Sequence, residues 1–229
     1  MALGAVQFHP AEDFDDGMRI PIAEFLLRLR RIGIVDRQIL AALEAVPRSL
    51  FLDGEAQHGP LFAERPQPIA CGQTNTPPLV IARMLKALAL TGRERVLDVG
   101  TGTGYLAAVL SMMTRHVYTI ERFRTLAGAA EARFAAIRSD SITAVFGDGV
   151  HGWSDKAPFD RIVTTASAPQ PPKYLIEQLA PNGVLIMPIG PADGLQMLTR
   201  FQRVDRSFPS TPICPVRFVP LIPGKAVRL

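Results

Sequence analysis

The stretch VLDVGTGTGY, residues 96–105, decides the fold of this chain. An apolar strand pattern runs into three glycines at alternate positions, and an apolar helical pattern follows directly. Glycine allows the positive φ angles of a tight turn, and its missing side chain lets a ligand lie against the backbone. The GxGxG spacing therefore indicates a site for a nucleotide-like ligand, although a purely structural turn would show the same glycines.

Carboxylates follow two later strand patterns. Glu121 ends the apolar segment 116–120, about 20 residues beyond the first glycine, where units of this kind bind ribose hydroxyls. Asp148 lies between two glycines after another strand pattern, so we expect its carboxylate to accept a hydrogen bond from an adenine amine. The plainer alternatives are that Glu121 is a solvated charge at the end of a strand and that Asp148 only helps the loop to turn.

The acidic residue before the glycines distinguishes between nucleosides. In a pyrophosphate-binding turn the third glycine comes three places after the second, near a helix N-terminus that attracts phosphate. Here the third glycine comes two places after the second, and Asp98 lies just before the turn. A carboxylate repels a pyrophosphate but tolerates the sulfonium and ammonium groups of S-adenosylmethionine. The pattern favours this methyl donor over NAD.

Length and composition are those of a soluble enzyme. The 229 residues are 48% hydrophobic, enough for a sizeable core, and no apolar run approaches the roughly 18 residues of a membrane span. Residues 1–16 lack a basic start and turn acidic, so we expect no signal peptide and a cytoplasmic location. Cys71 and Cys214 lie far apart without metal-ligand spacing, which predicts reduced thiols and no metal site.

The net charge of +4 raises the question of a nucleic-acid partner. The basic residues are dispersed, apart from RLRR at residues 28–31, which belongs to a helical pattern with Phe25 and Leu29 on its apolar face. A solvated helix face explains that cluster. We therefore expect a monomer with neither nucleic acid nor a membrane as a partner.

The chain divides into a helical and irregular segment, 1–90, and a segment, 91–229, in which strands and helices alternate. Predicted strands are 95–99, 117–120, 143–146, 161–165 and 184–188; predicted helices are 20–32, 37–45, 79–90, 105–113, 123–138 and 172–179. The alternation indicates a doubly wound, Rossmann-like α/β sheet, and residues 195–219 predict antiparallel edge strands. Ligands of such sheets bind at the carboxyl ends of the strands, which include residues 164–169.

Further motifs accompany the glycine turn in a fixed order. They are PIACGQTNTPP (68–78), IER (120–122), GDG (147–149) followed by Gly152 and Trp153, APFDRIV (157–163) and RFVPL (217–221). From about residue 32 to residue 221 the series resembles the protein-L-isoaspartate O-methyltransferases. That family methylates the side-chain carboxylate of isoaspartyl residues in damaged proteins. The resemblance implies the same substrates, a methyltransferase fold, S-adenosylmethionine as cofactor and S-adenosylhomocysteine as product.

The resemblance also implies roles for individual residues. Residues 73–76 would lie over the methyl donor and the acceptor, with Thr74, Asn75 and Thr76 binding substrate. Thr76 occupies the position of the family's catalytic serine. The methyl donor would be held by Gln73, Thr74, Thr76, Asp98, Gly100, Thr101, Gly102, Gly104, Glu121, Asp148 and Gly149.

The chain departs from the family pattern beside this position. Asn75 replaces the usual isoleucine, Thr76 replaces the serine and Pro77 follows, while Phe62 and Glu64 stand where tyrosine and aspartate are usual. These differences leave open a related methyltransferase that acts on another carboxylate, or a binding protein without turnover. A carboxylate acceptor is already ionised at neutral pH, so no histidine or cysteine base is expected.

Overall fold

The structure is a computed structural model that describes residues 19–52 and 59–226. The helices are α1 (Arg19–Arg31), α2 (Arg37–Ala45), α3 (Pro78–Leu88), α4 (Tyr105–Ser111), α5 (Arg124–Ala136) and α6 (Lys173–Glu177). The strands are β1 (Gln67–Ile69), β2 (Gln73–Asn75), β3 (Arg95–Val99), β4 (His116–Glu121), β5 (Ile142–Phe146), β6 (Phe159–Thr164), β7 (Leu179–Ile189), β8 (Gln196–Gln202) and β9 (Ser210–Val216). Residues 1–16, in which we expect no signal peptide, lie outside the described part.

Seven strands form one sheet in the order β5-β4-β3-β6-β7-β8-β9. Strands β3 to β7 pair in parallel, and β8 and β9 pair antiparallel at one edge. Within this sheet the chain enters at β3, runs outward through β4 to β5, and then returns to place β6 on the other side of β3. The strand order therefore reverses between β3 and β6, where ligands bind in doubly wound sheets. The predicted fold class is confirmed.

Most predicted elements lie where the sequence places them. Strand β3 has the predicted bounds, and α2 begins after Asp36, whose carboxylate accepts hydrogen bonds from the amides of Gln38 and Ile39. Strand β7 is longer than predicted because it pairs with β6 from Leu179 onward and with β8 as far as Ile189. The stretch between α2 and α3 is not wholly irregular, since β1 and β2 form a hairpin there.

The two faces of the sheet carry separate hydrophobic clusters. Along β3, Val96 belongs to one cluster and Leu97 and Val99 to the other, as the alternation of side chains in a strand requires. The first cluster also contains Phe25 of α1 and Leu43 of α2. Residues from both sides of position 90 thus share one core.

Three smaller observations concern the described residues. No helix among them is long and apolar enough to cross a membrane. Cys71 and Cys214 are free thiols. Trp153 packs edge-on against Tyr118, with 5.8 Å between ring centroids, so it anchors the loop after β5 to the sheet.

Candidate active site

The glycine turn between β3 and α4 lies against the end of β4. The amides of Gly100 and Thr101 both donate to the carbonyl of Ile120, at 2.9 and 3.2 Å. All three glycines of the turn have positive φ angles, 97°, 54° and 91° at positions 100, 102 and 104. The local geometry therefore requires glycine, as the sequence predicts.

The three glycines of the turn differ in the space around them, and this difference indicates the role of each. A Cβ atom on Gly104 would lie 2.8 Å from the Phe134 ring, and one on Gly100 would lie 2.5 Å from the Thr165 hydroxyl. A Cβ on Gly102 would meet only a methyl of Ile69, at 3.8 Å. Gly102 is thus the glycine of the turn whose backbone faces open space, and Gly104 serves the packing of α4 against α5.

A cavity open to solvent, with about 570 Å³ of empty space when that solvent is included, lies over this turn at the carboxyl ends of β3, β4 and β6. Its wall combines the turn, the neighbouring strand ends, the β1–β2 hairpin and the C-terminal segment. The lining residues are Ile69, Gln73, Thr74, Val99, Gly100, Gly102, Ile120, Glu121, Arg122, Phe123, Leu126, Gly149, Thr165, Ala166, Val219, Pro220, Leu221 and Ile222. The cavity lies at the point where the strand order reverses.

Glu121 is a carboxylate in this wall, and the fold holds it from two sides. Its Oε2 accepts a hydrogen bond from the amide of Gly102 and its Oε1 accepts one from the amide of Phe123, each at 2.9 Å. Burial raises the pKa of Glu121, although these hydrogen bonds oppose the shift. Glu121 therefore connects the glycine turn to the end of β4 at the edge of the cavity.

Asp98 lies below the turn and not in the cavity wall. Its exposed fraction is 0%, and its Oδ2 accepts a 2.9 Å hydrogen bond from the Thr119 hydroxyl. That hydroxyl in turn lies 2.6 Å from the buried Thr101 hydroxyl. Burial, with the nearby charge of Glu121, raises the pKa of Asp98 to about 7. The direct cofactor contacts expected for Asp98 and Thr101 are corrected, because both side chains support the turn from beneath.

Asp148 is engaged by the protein itself. Its Oδ1 accepts from the amide of Val150 at 2.9 Å, and its Oδ2 accepts from the amide of Gly224 at 2.7 Å. It does not line the cavity, whereas Gly149 does. A Cβ on Gly149 would lie 2.5 Å from Val99 Cγ1, so this glycine lets the loop approach β3 closely. Asp148 thus holds the C-terminal segment in this structure, and its hydrogen bond to an adenine amine stays a prediction.

The β1–β2 hairpin brings Gln73 and Thr74 into the wall but turns Asn75 away from it. Asn75 is 6% exposed, and its Nδ2 has no hydrogen-bond partner in the described part of the chain. Asn75 is buried and does not line the cavity, so its placement in this structure does not support the substrate contact expected for it. Thr76, at 9% exposure, lies just beyond the lining residues.

Part of the cavity wall is not predicted from the sequence. Thr165 donates to the Gly100 carbonyl at 2.8 Å; the strand-end rule indicated its region but not this residue. Residues 219–222 reach the cavity because Val219 and Leu221 pair with the backbone of Ser167, at 2.8 and 2.7 Å. No local pattern marks that contact, since it joins residues more than fifty positions apart.

The sheet order, the glycine turn and the cavity at the reversal point define a Rossmann-like methyltransferase fold. A sequence model described as "Protein-L-isoaspartate(D-aspartate) O-methyltransferase" matches residues 22–226. The chain belongs to the protein-L-isoaspartate O-methyltransferase family.

Individual relatives agree with this assignment. The chain is 43% identical over 204 residues to the protein-L-isoaspartate O-methyltransferase of Paramagnetospirillum magneticum, covering 89% of this chain and 95% of the relative. A solved protein-L-isoaspartate O-methyltransferase superposes with a TM-score of 0.79 at 24% identity, over 87% of this chain and 65% of the other. The structure of a candidate enzyme of that name from Plasmodium falciparum, solved with S-adenosyl-L-homocysteine, superposes with a TM-score of 0.72 at 24% identity. The match covers 87% of this chain and 97% of the other. The two superpositions show the shared fold.

The buried carboxyl of Asp98 makes stability depend on pH. Its folded pKa of about 7 exceeds its usual value of 3.8, so between these values the folded state keeps a proton that the unfolded state has lost. Stability from this group therefore falls as pH rises, by up to about 1.4 kcal/mol per pH unit. We expect the free energy of unfolding, measured with urea at buffer pH values from about 4.5 to about 7.5, to decline less with rising pH in Asp98→Asn than in the wild type. Parallel pH profiles would contradict the assignment.

Proposed function

We propose that the protein transfers the methyl group of S-adenosylmethionine to the side-chain carboxylate of L-isoaspartyl residues in damaged proteins. The observation that carries the proposal is a single cavity lined by the glycine turn, by Glu121 and, from the β1–β2 hairpin, by Thr74. The turn and Glu121 would hold the cofactor, and Thr74 would contact the acceptor. Membership of the methyltransferase family supports this division into a cofactor side and an acceptor side.

The residues of the wall fit the methyl donor. Gly102 leaves space against bare backbone, where the methionine part of the cofactor would lie, and Gly100 forms the adjacent wall. Glu121 offers carboxylate oxygens for the ribose hydroxyls, and Val99 and Gly149 line the part of the cavity where the adenine would lie. Asp98 lies beneath the turn, and a cation above the turn would favour its ionised form without touching it.

The bound cofactor supplies an electrophilic methyl group on a sulfonium. The acceptor carboxylate is ionised at neutral pH, so the protein needs no general base. Thr74 and Thr76 make no hydrogen bonds through their hydroxyls within the described part of the chain, which leaves both free to donate to that carboxylate. Their task is to align one carboxylate oxygen with the methyl group, and orientation of this kind accounts for up to about 7–11 kcal/mol.

The departures at the acceptor segment bear on specificity. Asn75 points away from the cavity, so replacing the family's isoleucine changes the buried side of the hairpin and not the acceptor side. Thr76 keeps the hydroxyl of the usual serine and adds a methyl group that restricts χ1. These placements favour isoaspartyl peptides over another carboxylate acceptor. We further propose a cytoplasmic monomer without a nucleic-acid partner, since the basic residues are dispersed.

Paired peptides test the function directly. We expect the protein to incorporate tritium from labelled S-adenosylmethionine into a peptide that contains L-isoaspartate. Its twin with normal L-aspartate, in which a methylene group separates the carboxylate from the backbone and places it one bond farther away, should stay unlabelled. Base-labile release of methanol identifies the product as an ester. Equal labelling of both peptides would point to a different carboxylate, and cofactor binding without labelling would point to a binding protein.

A substitution at Gly102 tests the cofactor side. Gly102→Val places a branched side chain into the open space of the cavity, so we expect S-adenosylhomocysteine affinity to fall at least about tenfold, or 1.4 kcal/mol. Gly33→Val is the matched control, because Gly33 also has a positive φ angle and open space but lies outside the wall. Calorimetry on both variants separates the loss of binding from backbone strain. Equal affinities would contradict the placement.

Substitutions at Thr76 test the acceptor side. Thr76→Val keeps the branched shape and removes the donor, so turnover on the isoaspartyl peptide should fall by about 10- to 100-fold. Affinity for S-adenosylhomocysteine should change little, since it depends on the glycine turn and Glu121. Thr76→Ser should keep most of the activity, and Thr74→Val reveals how much the neighbouring hydroxyl contributes. Full activity of Thr76→Val would leave the acceptor to Thr74 and backbone amides.

A further inference from the structure

Arg48 is a buried cation that lies next to the proposed acceptor segment but outside the cavity wall. We infer that Arg48 is a positioning residue: its guanidinium fixes the backbone at Thr76 relative to the glycine turn and thereby places the acceptor carboxylate. The inference rests on the proposed function, because it is the Thr76 hydroxyl that would hold that carboxylate.

The contacts of Arg48 join three separate parts of the chain. It begins a single 3₁₀ turn, Arg48–Phe51, and is 3% exposed. Its Nε donates to the Leu61 carbonyl at 2.7 Å, and its Nη2 donates to the Thr76 carbonyl at 3.2 Å. Its guanidinium carbon lies 4.7 Å from the centre of the Tyr105 ring. Tyr105 directly follows the glycine turn, so one side chain connects that turn to the acceptor segment.

The charge of Arg48 destabilises the fold unless its contacts compensate for it. Burial lowers the pKa of the guanidinium, because removing a charge from water costs several kcal/mol. No carboxylate in residues 19–52 and 59–226 pairs with it, and its Nη1 has no hydrogen-bond partner there. An apolar side chain of similar volume would fill the same space without that penalty. What the arginine adds is a rigid fork that reaches two carbonyls at once.

The Thr76 backbone has few other means of attachment. Pro77 and Pro78 follow it, and neither has an N–H group that could anchor the chain between β2 and α3. The Thr76 carbonyl accepts its hydrogen bond from Arg48. Without that bond the hydroxyl of Thr76 would remain but its position would be less well defined. In a transfer that depends on alignment, a misplacement of about 1 Å costs up to about a hundredfold in rate.

Three variants separate positioning from general stability. Arg48→Met keeps the volume and removes the fork, and Arg48→Lys keeps a charge on a flexible stem with a single donor group. Arg28→Met is the control, because Arg28 forms an ion pair with Glu64 at 2.7 Å on the surface and lies outside the site. Thr76→Val combined with Arg48→Met completes a double-mutant cycle.

The first measurement is hydrogen exchange of the backbone amides of residues 73–76, with and without S-adenosylhomocysteine. Both Arg48 variants should speed this exchange at least about tenfold, while exchange in the glycine turn and in Arg28→Met stays at the wild-type rate. If one of the two Arg48 variants does not fold, the other still provides the test. Unchanged exchange in residues 73–76 would overturn the inference.

The second measurement is kcat/KM on the isoaspartyl peptide, normalised to the number of sites that bind S-adenosylhomocysteine. Arg48→Met should lose about 10- to 100-fold per site, and adding it to Thr76→Val should cost little more, since Arg48 acts through Thr76. Losses that multiply, or a loss that disappears after normalisation, would show a merely structural role and overturn the inference. A wild-type protein inactive on the peptide contradicts the proposed function alone, and hydrogen exchange still decides the role of Arg48.

Discussion

The structure of the site depends on the carboxylate of Glu121, which accepts hydrogen bonds from the amides of Gly102 and Phe123. These two bonds hold the glycine turn against the end of β4 and keep a backbone surface open at the floor of the cavity. A second carboxylate, Asp98, lies fully buried below the same turn. Burial raises both pKa values, because each negative charge is poorly stabilised in this site. A cationic cofactor would relieve this, whereas a pyrophosphate would not.

The other elements of the fold complete the cavity around the glycine turn and Glu121. The parallel strands bring their carboxyl ends together, the hairpin supplies Thr74, and residues 219–222 close the wall through backbone pairing with Ser167. Among residues 19–52 and 59–226, no histidine or cysteine lines the cavity, and the proposed transfer needs alignment and not proton abstraction. The proposed chemistry therefore depends on the rigidity of two backbone segments, the glycine turn and residues 73–76.

The sequence predicts those parts of the site that local patterns encode. The glycine turn, Glu121 and the strand ends follow from spacing alone, and the doubly wound class of the sheet, although not its strand order, follows from the alternation of elements. The face of the sheet to which a side chain points is harder to predict. Strand β3 is buried on both faces, so no alternation of polar and apolar residues indicates the direction of Asp98. One partner of Asp148 is Gly224, 76 positions away, and the clash that Gly100 avoids is with Thr165. Such long-range contacts leave no periodic trace in the sequence.

A crystal structure of the protein with S-adenosylhomocysteine tests the central claim most directly. The account predicts the ribose hydroxyls within hydrogen-bond distance of Glu121, the amino-acid part against Gly102, and the sulfur directed toward Thr74 and Thr76. Asp98 should make no direct contact with the ligand. A nucleoside bound elsewhere, or one that leaves Glu121 joined only to the protein's own amides, would contradict the assignment of this cavity.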